Sequence, residues 1–167
     1  YLLGDSLSAP KTGDSAKSWP KLLDEMQPFN IINLALPGRC VEDGIIMAES
    51  IDYERAPVII ELGGNNWRGK SSFENYRNGL AALLKKVCNG KRKVIMFEIP
   101  FPPFEYSYHY TQRSFAKRYG VTLIPRRFLS GILCLVPEGT TDGLHLSPKG
   151  HKVFAEEMSK IIIPNSM

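Results

Sequence analysis

Short apolar runs rich in β-branched residues recur along the chain, separated by Gly, Pro and polar clusters. Five of these runs are continuously apolar rather than alternating, which is typical of strands that are covered on both faces of a sheet. The predicted strands are residues 1–3, 31–36, 58–62, 94–99 and 121–124.

Other segments have helical periodicity, with apolar residues recurring at spacings of three and four. They comprise residues 19–26, 73–87 and 153–162. Ser147 and Pro148, ahead of the last segment, are the residue types of an N-cap and of a first helical position. This alternation predicts a single α/β domain over residues 1–167, with a mainly parallel sheet between helices. Active groups in such sheets gather beyond the carboxyl ends of the strands.

Composition limits the class of protein. No apolar run approaches the roughly 18 to 20 residues of a membrane span, so no integral membrane segment is predicted. The three cysteines, Cys40, Cys88 and Cys134, are scattered and form no CxxC pair, which favours buried free thiols over a disulfide or a zinc site. Because the first predicted strand has only three residues, we expect further sequence to precede Tyr1.

The net charge is modest. The chain has 21 basic and 17 acidic residues, for a formal charge of +4. The basic residues are spread along the sequence and accompany no nucleic-acid motif, so no nucleic-acid partner is expected. A mild attraction to acidic substrates is compatible with this charge.

A candidate nucleophile follows the first predicted strand. Gly4, Asp5 and Ser6 form a tight turn from which the Ser6 hydroxyl can project. The same tripeptide recurs at residues 13–15, but there it follows a polar loop with no rigid element behind it. A catalytic serine also needs a base, a carboxylate that orients the base, and donors for an oxyanion.

Asp142 and His145 are the candidate carboxylate and base. They lie three residues apart in a Gly-containing loop before the last helix, so both side chains can turn inward. For an isolated Asp-x-x-His, an Asx-type turn in which Asp142 caps backbone amides is an equally good interpretation. The combination with Ser6 favours catalysis.

Gly38 and Asn65 are candidate oxyanion donors. Each lies just after a predicted strand, where Gly38 can present its N–H and Asn65 its side-chain amide. For Gly38 alone, a turn that requires glycine is the better interpretation. The joint occurrence of these groups in this order indicates a site.

The order Gly-Asp-Ser, Gly, Gly-x-Asn, Asp-x-x-His resembles the SGNH (GDSL) hydrolase family over nearly the whole chain. The small bacterial lysophospholipase, acyl thioesterase and arylesterase members are most similar, over residues 2–8, 60–66 and 142–154. The resemblance implies a flavodoxin-like three-layer α/β/α sandwich with about five parallel strands. The resemblance also favours a periplasmic or secreted location.

The resemblance also implies roles for individual residues. Ser6 would be the nucleophile and His145 the base, oriented by Asp142. The oxyanion donors would be the N–H groups of Ser6 and Gly38 and the side chain of Asn65, and neither a metal nor an organic cofactor would be needed. Asn66 stands where the family usually has Asp, which calls into question the anchoring of this loop rather than activity.

Several residues are candidates for contact with a small-molecule ester. Residues 100–106 form a Pro-rich aromatic loop that could line an acyl pocket, although simple packing explains it equally well. His109 and His151 have no carboxylate at an orienting spacing, so packing or surface roles are favoured for both. The candidate contacts are Asp5, Trp67, Arg68, Phe101, Phe104, Tyr106 and His109.

Two other functions are compatible with the pattern. A carbohydrate O-acetylesterase would use the same site on a small acetyl group. A non-catalytic flavodoxin-like binding module would use the Gly-rich loops for a phosphate or a sugar, but it leaves the joint presence of Ser6, Asn65, Asp142 and His145 unexplained. The sequence does not specify an oligomeric state.

Overall fold

Parallel strands form the centre of the fold in a computed structural model that describes residues 1–9 and 17–162. The second Gly-Asp-Ser, at residues 13–15, lies outside the described residues. The strands are ordered β1-β2-β3-β4 in one sheet. They comprise β1 (Leu2–Gly4), β2 (Val58–Glu61), β3 (Val94–Phe97) and β4 (Thr122–Ile124).

The first three strands are buried along their entire length. Leu2 pairs with Ile59, and Ile59 in turn pairs with Ile95. Helices therefore cover both faces of the sheet, which accounts for the continuous apolarity of these runs.

The prediction of a fifth regular strand at residues 31–36 was wrong. The segment runs beside β1 as an outer edge, with backbone hydrogen bonds from Leu2 N to Ile32 O and from Leu34 N to Leu2 O, both 2.9 Å. Only Leu2 and Asn33 pair as in a ladder. Asn33 interrupts the pairing because its side chain accepts a hydrogen bond from Ala35 N at 3.0 Å, which competes with strand geometry.

The helices form two layers around the sheet. In chain order they are α1 (Trp19–Met26), α2 (Val41–Met47), α3 (Phe73–Val87), α4 (Tyr106–Tyr119), α5 (Arg127–Ser130) and α6 (Pro148–Ile162). Helices α1 and α6 pack together on one side, and α3 packs against α2 and α4 on the other. With the edge segment counted second, the strand order is 2-1-3-4-5, so the predicted flavodoxin-like sandwich is confirmed.

Aromatic stacking joins α1 to α6. The rings of Trp19 and Phe154 stack with centroids 4.4 Å apart. His151, a buried residue of α6, accepts a hydrogen bond from Trp19 N at 3.2 Å, so it has the predicted packing role. Ser147 caps α6 by accepting a hydrogen bond from Gly150 N at 3.0 Å, as predicted.

All three cysteines are free, as predicted, but the expectation that they are buried was only partly right. Cys40 is buried, Cys88 is half-buried and Cys134 is exposed. Within residues 1–9 and 17–162, no helix has the length and apolarity needed to cross a membrane.

Candidate active site

The loops that follow the strands surround a cavity of about 500 Å³ at the carboxyl edge of the sheet. Ser6, from the loop after β1, and Asn65, from the loop after β2, both line it. Gly143 and Leu144, which immediately precede His145, line it as well. Gly38, Asp142 and His145 are not among its lining residues. Ser6 and Asn65 therefore meet at the cavity from loops far apart in the sequence, and the loop of Asp142 and His145 borders it through Gly143 and Leu144.

Asp142 and His145 form the predicted pair. Nδ1 of His145 lies 2.7 Å from Oδ2 of Asp142. The other carboxylate oxygen, Oδ1, accepts hydrogen bonds from the N–H groups of Leu144 at 3.0 Å and His145 at 2.7 Å. Asp142 therefore closes the predicted Asx-type turn and also contacts the imidazole of His145, and the catalytic role of the pair stays a prediction.

The pair has a defined protonation pattern. The hydrogen bond from His145, followed by those from backbone N–H groups, holds the pKa of Asp142 well below its ordinary value. An ionised Asp142 accepts the proton on Nδ1 of His145, which leaves the lone pair of the neutral ring on Nε2. The imidazole side chain is 28% exposed, and its Nε2 forms no hydrogen bond within the described residues.

Asp5 builds the turn that carries Ser6. Its backbone carbonyl accepts hydrogen bonds from Ser8 N and Ala9 N, and its Oδ1 accepts one from Leu7 N at 3.0 Å. Ser6 is half-buried in this turn. Among the described residues its hydroxyl makes no hydrogen bond, and its contact with His145 is thus not formed, as is common in free enzymes.

Two backbone N–H groups are available to an oxyanion. Within the described part of the chain, neither Ser6 N nor Gly38 N donates a hydrogen bond. Gly38 adopts a φ of 78°, which only glycine adopts without strain. Its carbonyl accepts a hydrogen bond from Lys70 Nζ at 3.1 Å, which fixes the peptide that follows.

Asn65 is held by two acceptors. Its Nδ2 donates to Oδ2 of Asp5 at 2.8 Å and to the carbonyl of Arg39 at 3.0 Å. Because an amide nitrogen carries two hydrogens, an oxyanion would have to take over one of these bonds. The Arg39 bond is the longer and the more exposed of the two.

The doubt about loop anchoring that the sequence raised at Asn66 was wrong. Asn66 is fully buried, and its Oδ1 accepts a hydrogen bond from Val41 N at 3.1 Å. Its Nδ2 donates to Oε2 of Glu42 at 2.8 Å. An aspartate could not donate this second bond and would face another carboxylate, so Asn suits the position and ties the loop to α2.

A buried pair of carboxyl groups lies beneath Ser6. Glu61, at the end of β2, is fully buried, and its Oε2 accepts hydrogen bonds from Ser8 Oγ at 2.9 Å and Asp5 N at 3.4 Å. Burial, reinforced by the charge of Asp5, raises the pKa of Glu61 well above its ordinary value. Burial also raises the pKa of Asp5, to about 6. Glu61 is therefore the member that keeps its proton, and Asp5 the one that ionises.

The predicted contact residues divide into two groups. Asp5, Trp67, Arg68 and Phe101 line the cavity, whereas Phe104, Tyr106 and His109 are not among its lining residues. Phe104 and Tyr106, the latter being the first residue of α4, are more than two-thirds exposed. His109 is buried behind the wall, with Nε2 3.1 Å from Phe101 O and 3.2 Å from Pro102 O.

Pro100, Pro102 and Pro103 of the predicted aromatic loop also line the cavity. Sequence reasoning missed the other lining residues, which are Leu7, Glu61, Gly64, Ile99, Arg126, Ser130, Leu133, Cys134, Gly143 and Leu144. For Glu61, a charged residue at the end of an apolar run was the available signal. Arg126, Leu133 and Cys134 come from the region after β4, where no motif identifies them. Apolar side chains and prolines predominate in this wall.

The described residues contain no cluster of His, Cys, Asp and Glu side chains able to hold a metal ion.

Comparison with known proteins gives a consistent picture. The sequence model of the GDSL-like lipase/acylhydrolase family matches residues 2–153. Esterase TesA of Pseudomonas aeruginosa is 28% identical over 158 residues, covering 86% of this chain and 77% of TesA. The arylesterase of Vibrio mimicus is 26% identical over 175 residues, covering 97% of this chain and 86% of the arylesterase.

A solved structure has the same fold. The psychrotrophic esterase EstA from Pseudoalteromonas sp. superimposes with a TM-score of 0.81 at 22% identity. The superposition covers 98% of this chain and 95% of EstA, so the likeness extends over the entire sandwich.

Proposed function

Because this chain belongs to the GDSL-like lipase/acylhydrolase family and is a GDSL-type serine hydrolase, we propose that it hydrolyses carboxylic esters or thioesters through an acyl-enzyme on Ser6. His145 acts as general base and acid, and Asp142 orients its ring. Ser6 N, Gly38 N and the Asn65 side chain stabilise the oxyanion.

The first half of the reaction forms the acyl-enzyme. Ser6 Oγ attacks the carbonyl carbon, and its proton passes to Nε2 of His145. The negative charge that develops on the carbonyl oxygen is stabilised by Ser6 N, Gly38 N and one hydrogen of Asn65 Nδ2. The bond to the alcohol or thiol then breaks, and His145 returns the proton to the leaving group.

The second half releases the acid. A water molecule gives a proton to His145 and attacks the acyl carbon, again with its oxygen in the oxyanion hole. The bond to Ser6 Oγ breaks, and Oγ recovers the proton from His145. No redox step is involved, and the protons balance over the cycle.

The observation that carries this proposal is the arrangement around one cavity. Ser6, whose hydroxyl makes no hydrogen bond among the described residues, lines the cavity with Asn65, and the loop that holds the Asp142–His145 pair borders it through Gly143 and Leu144. An Asx turn alone does not require an imidazole nitrogen 2.7 Å from Oδ2 of Asp142. Family membership also argues against the non-catalytic binding module.

The cavity wall favours an acyl chain over acetyl alone. Ile99, Phe101, Leu133 and Leu144 give it an apolar surface large enough for several methylene groups. A carbohydrate O-acetylesterase is expected to have a short, polar pocket instead. This wall therefore supports an esterase for medium-length acyl groups as the better candidate.

A chain-length series tests the proposal. Hydrolysis of 4-nitrophenyl acetate, hexanoate and octanoate is measured for the wild type, Ser6→Ala and His145→Ala. We expect turnover that is lost in both variants, with kcat/KM higher for hexanoate than for acetate. Absence of turnover for every ester contradicts the proposed reaction, and a strict preference for acetate favours the O-acetylesterase.

A further inference from the structure

Two arginines line the cavity among its apolar side chains. Arg68 belongs to the irregular helical turn Asn66–Lys70, directly after Asn65. Arg126 lies just before α5, on the side of the cavity formed by Phe101 and Leu133. Both arginines are exposed to solvent.

Neither guanidinium is neutralised within residues 1–9 and 17–162. No carboxylate there forms an ion pair with Arg68 or Arg126. Glu98, which contacts Arg126, is already engaged. One of its oxygens accepts from the backbone N–H of Arg126 at 2.9 Å, and the other pairs with Arg113 Nε at 2.6 Å.

The Arg126 side chain is nevertheless held in place. Its Nη1 lies 3.1 Å from Nε2 and 3.5 Å from Nδ1 of His109. Nε2 of His109 also lies near the carbonyl oxygens of Phe101 and Pro102, so the imidazole ring positions Arg126 against the loop that carries Phe101. Nε and Nη2 of Arg126 make no hydrogen bond in the described part of the chain, so part of the guanidinium fork is available.

The acidic groups of the cavity offset this charge only in part. Asp5 and Glu61 both line the cavity. Burial raises the pKa of Glu61 well above its ordinary value, which favours its neutral form. Asp5 is the carboxyl that ionises, and it already accepts hydrogen bonds from Asn65 Nδ2 and Leu7 N. The two arginines therefore leave an excess of positive charge beside the apolar surface of the cavity.

We propose that the natural ester carries an anionic group, which binds to the free edge of the Arg126 guanidinium with Arg68 as a second cation. The remainder of the substrate packs against Phe101 and Leu133. A planar guanidinium binds a carboxylate through two parallel hydrogen bonds, which gives selectivity for the anion over a neutral group of the same shape. This inference rests on the proposed esterase function and specifies its substrate class.

Two matched pairs of esters test the inference. The first compares the 4-nitrophenyl half-ester of adipic acid with 4-nitrophenyl hexanoate, which places the carboxylate on the acyl side. The second compares 4-carboxyphenyl hexanoate with 4-carbamoylphenyl hexanoate, which places it on the alcohol side. Rates are corrected for spontaneous hydrolysis, and the readout is the charged-to-neutral ratio of kcat/KM within each pair.

We expect the wild type to prefer the carboxylate in at least one pair. Arg126→Gln should lower that ratio by about tenfold to a hundredfold, as expected for loss of a charged hydrogen bond, and Arg126→Lys should restore part of it. Arg127→Gln, an adjacent exposed arginine that is not among the cavity residues, should leave the ratio within about twofold. Thermal unfolding of each variant establishes that it is folded.

Two outcomes separate this inference from the proposed function. If neutral esters are hydrolysed but no pair shows a preference for the carboxylate, or if Arg126→Gln leaves the preference intact, the inference is overturned while the esterase stands. If the wild type hydrolyses none of the four esters, and Ser6→Ala is equally inactive, the esterase function itself fails.

Discussion

The side-chain amide of Asn65 donates a hydrogen bond of 2.8 Å to Oδ2 of Asp5. This bond joins the Gly-Asp-Ser turn to the loop after β2. Asp5 therefore has a structural reason to precede the serine, because it orients the amide expected to bind the oxyanion. The second hydrogen bond of this amide, from Asn65 Nδ2 to Arg39 O at 3.0 Å, is the one that the substrate oxyanion would replace.

Asn65→Ala should lower kcat by a factor of about 10² to 10³, the usual effect of removing an oxyanion donor. Its matched control is Asn66→Ala, which removes one buried and one partly buried hydrogen bond to α2 and should lower the free energy of unfolding by about 1 to 3 kcal/mol. Steady-state kinetics and thermal unfolding of both variants separate the roles. The assignment fails if Asn65→Ala retains wild-type kcat.

Asp142→Asn should lower kcat by about 10² to 10⁴ with little change in stability. The asparagine Oδ1 can still accept from Leu144 N and His145 N, but its NH₂ group would face Nδ1 of His145 and favour the wrong tautomer. Because the pKa of Asp142 is held low, the acid limb of the wild-type pH profile should not come from this carboxyl. Full activity in the folded variant would mean that Asp142 has only the structural role of a turn residue.

Glu61→Gln should flatten the dependence of stability on pH. The folded-state pKa values of Asp5 and Glu61 are raised, so their contribution is fully present at low pH and is lost as pH rises through those values. For Asp5, a shift from 3.8 to about 6 corresponds to about 3 kcal/mol. Denaturant unfolding from pH 4 to 8 should show this decline in the wild type and a smaller one in the variant. Parallel curves would be inconsistent with a buried, protonated Glu61.

Alkylation of Cys134 should obstruct the acyl wall. Cys134 is exposed and lines the cavity, whereas burial raises the thiol pKa values of Cys40 and Cys88 and slows their reaction. Treatment with a bulky maleimide should reduce hydrolysis of 4-nitrophenyl hexanoate more than that of acetate. The Cys134→Ser variant should keep its activity on both esters after the same treatment. Equal loss for both esters, or none, would place the acyl chain elsewhere.

Much of the fold was predictable because its signals are local. Helices α1 and α3 begin and end where their periodicity predicts. The edge segment at residues 31–36 was mispredicted because one side chain, Asn33, interrupts its pairing with β1. That hydrogen bond cannot be predicted from composition or from periodicity.

Motifs at strand ends, and their spacing, select the candidate residues Ser6, Asn65, Asp142 and His145, whose roles stay predictions. Arg126 could not be selected in this way, because its place in the cavity depends on β4 lying at the opposite edge of the sheet and on its contact with His109. Phe104 and Tyr106 were selected as aromatic residues of a loop, but both are exposed.

Covalent labelling tests directly whether Ser6 is the nucleophile. The wild type, Ser6→Ala and Ser15→Ala are treated with a fluorophosphonate, and the adduct is located by intact-mass and peptide mass spectrometry. We expect one adduct per chain on Ser6, retained in Ser15→Ala and absent from Ser6→Ala together with esterase activity. Labelling that persists in Ser6→Ala and disappears in Ser15→Ala would contradict the assignment of Ser6 as the nucleophile.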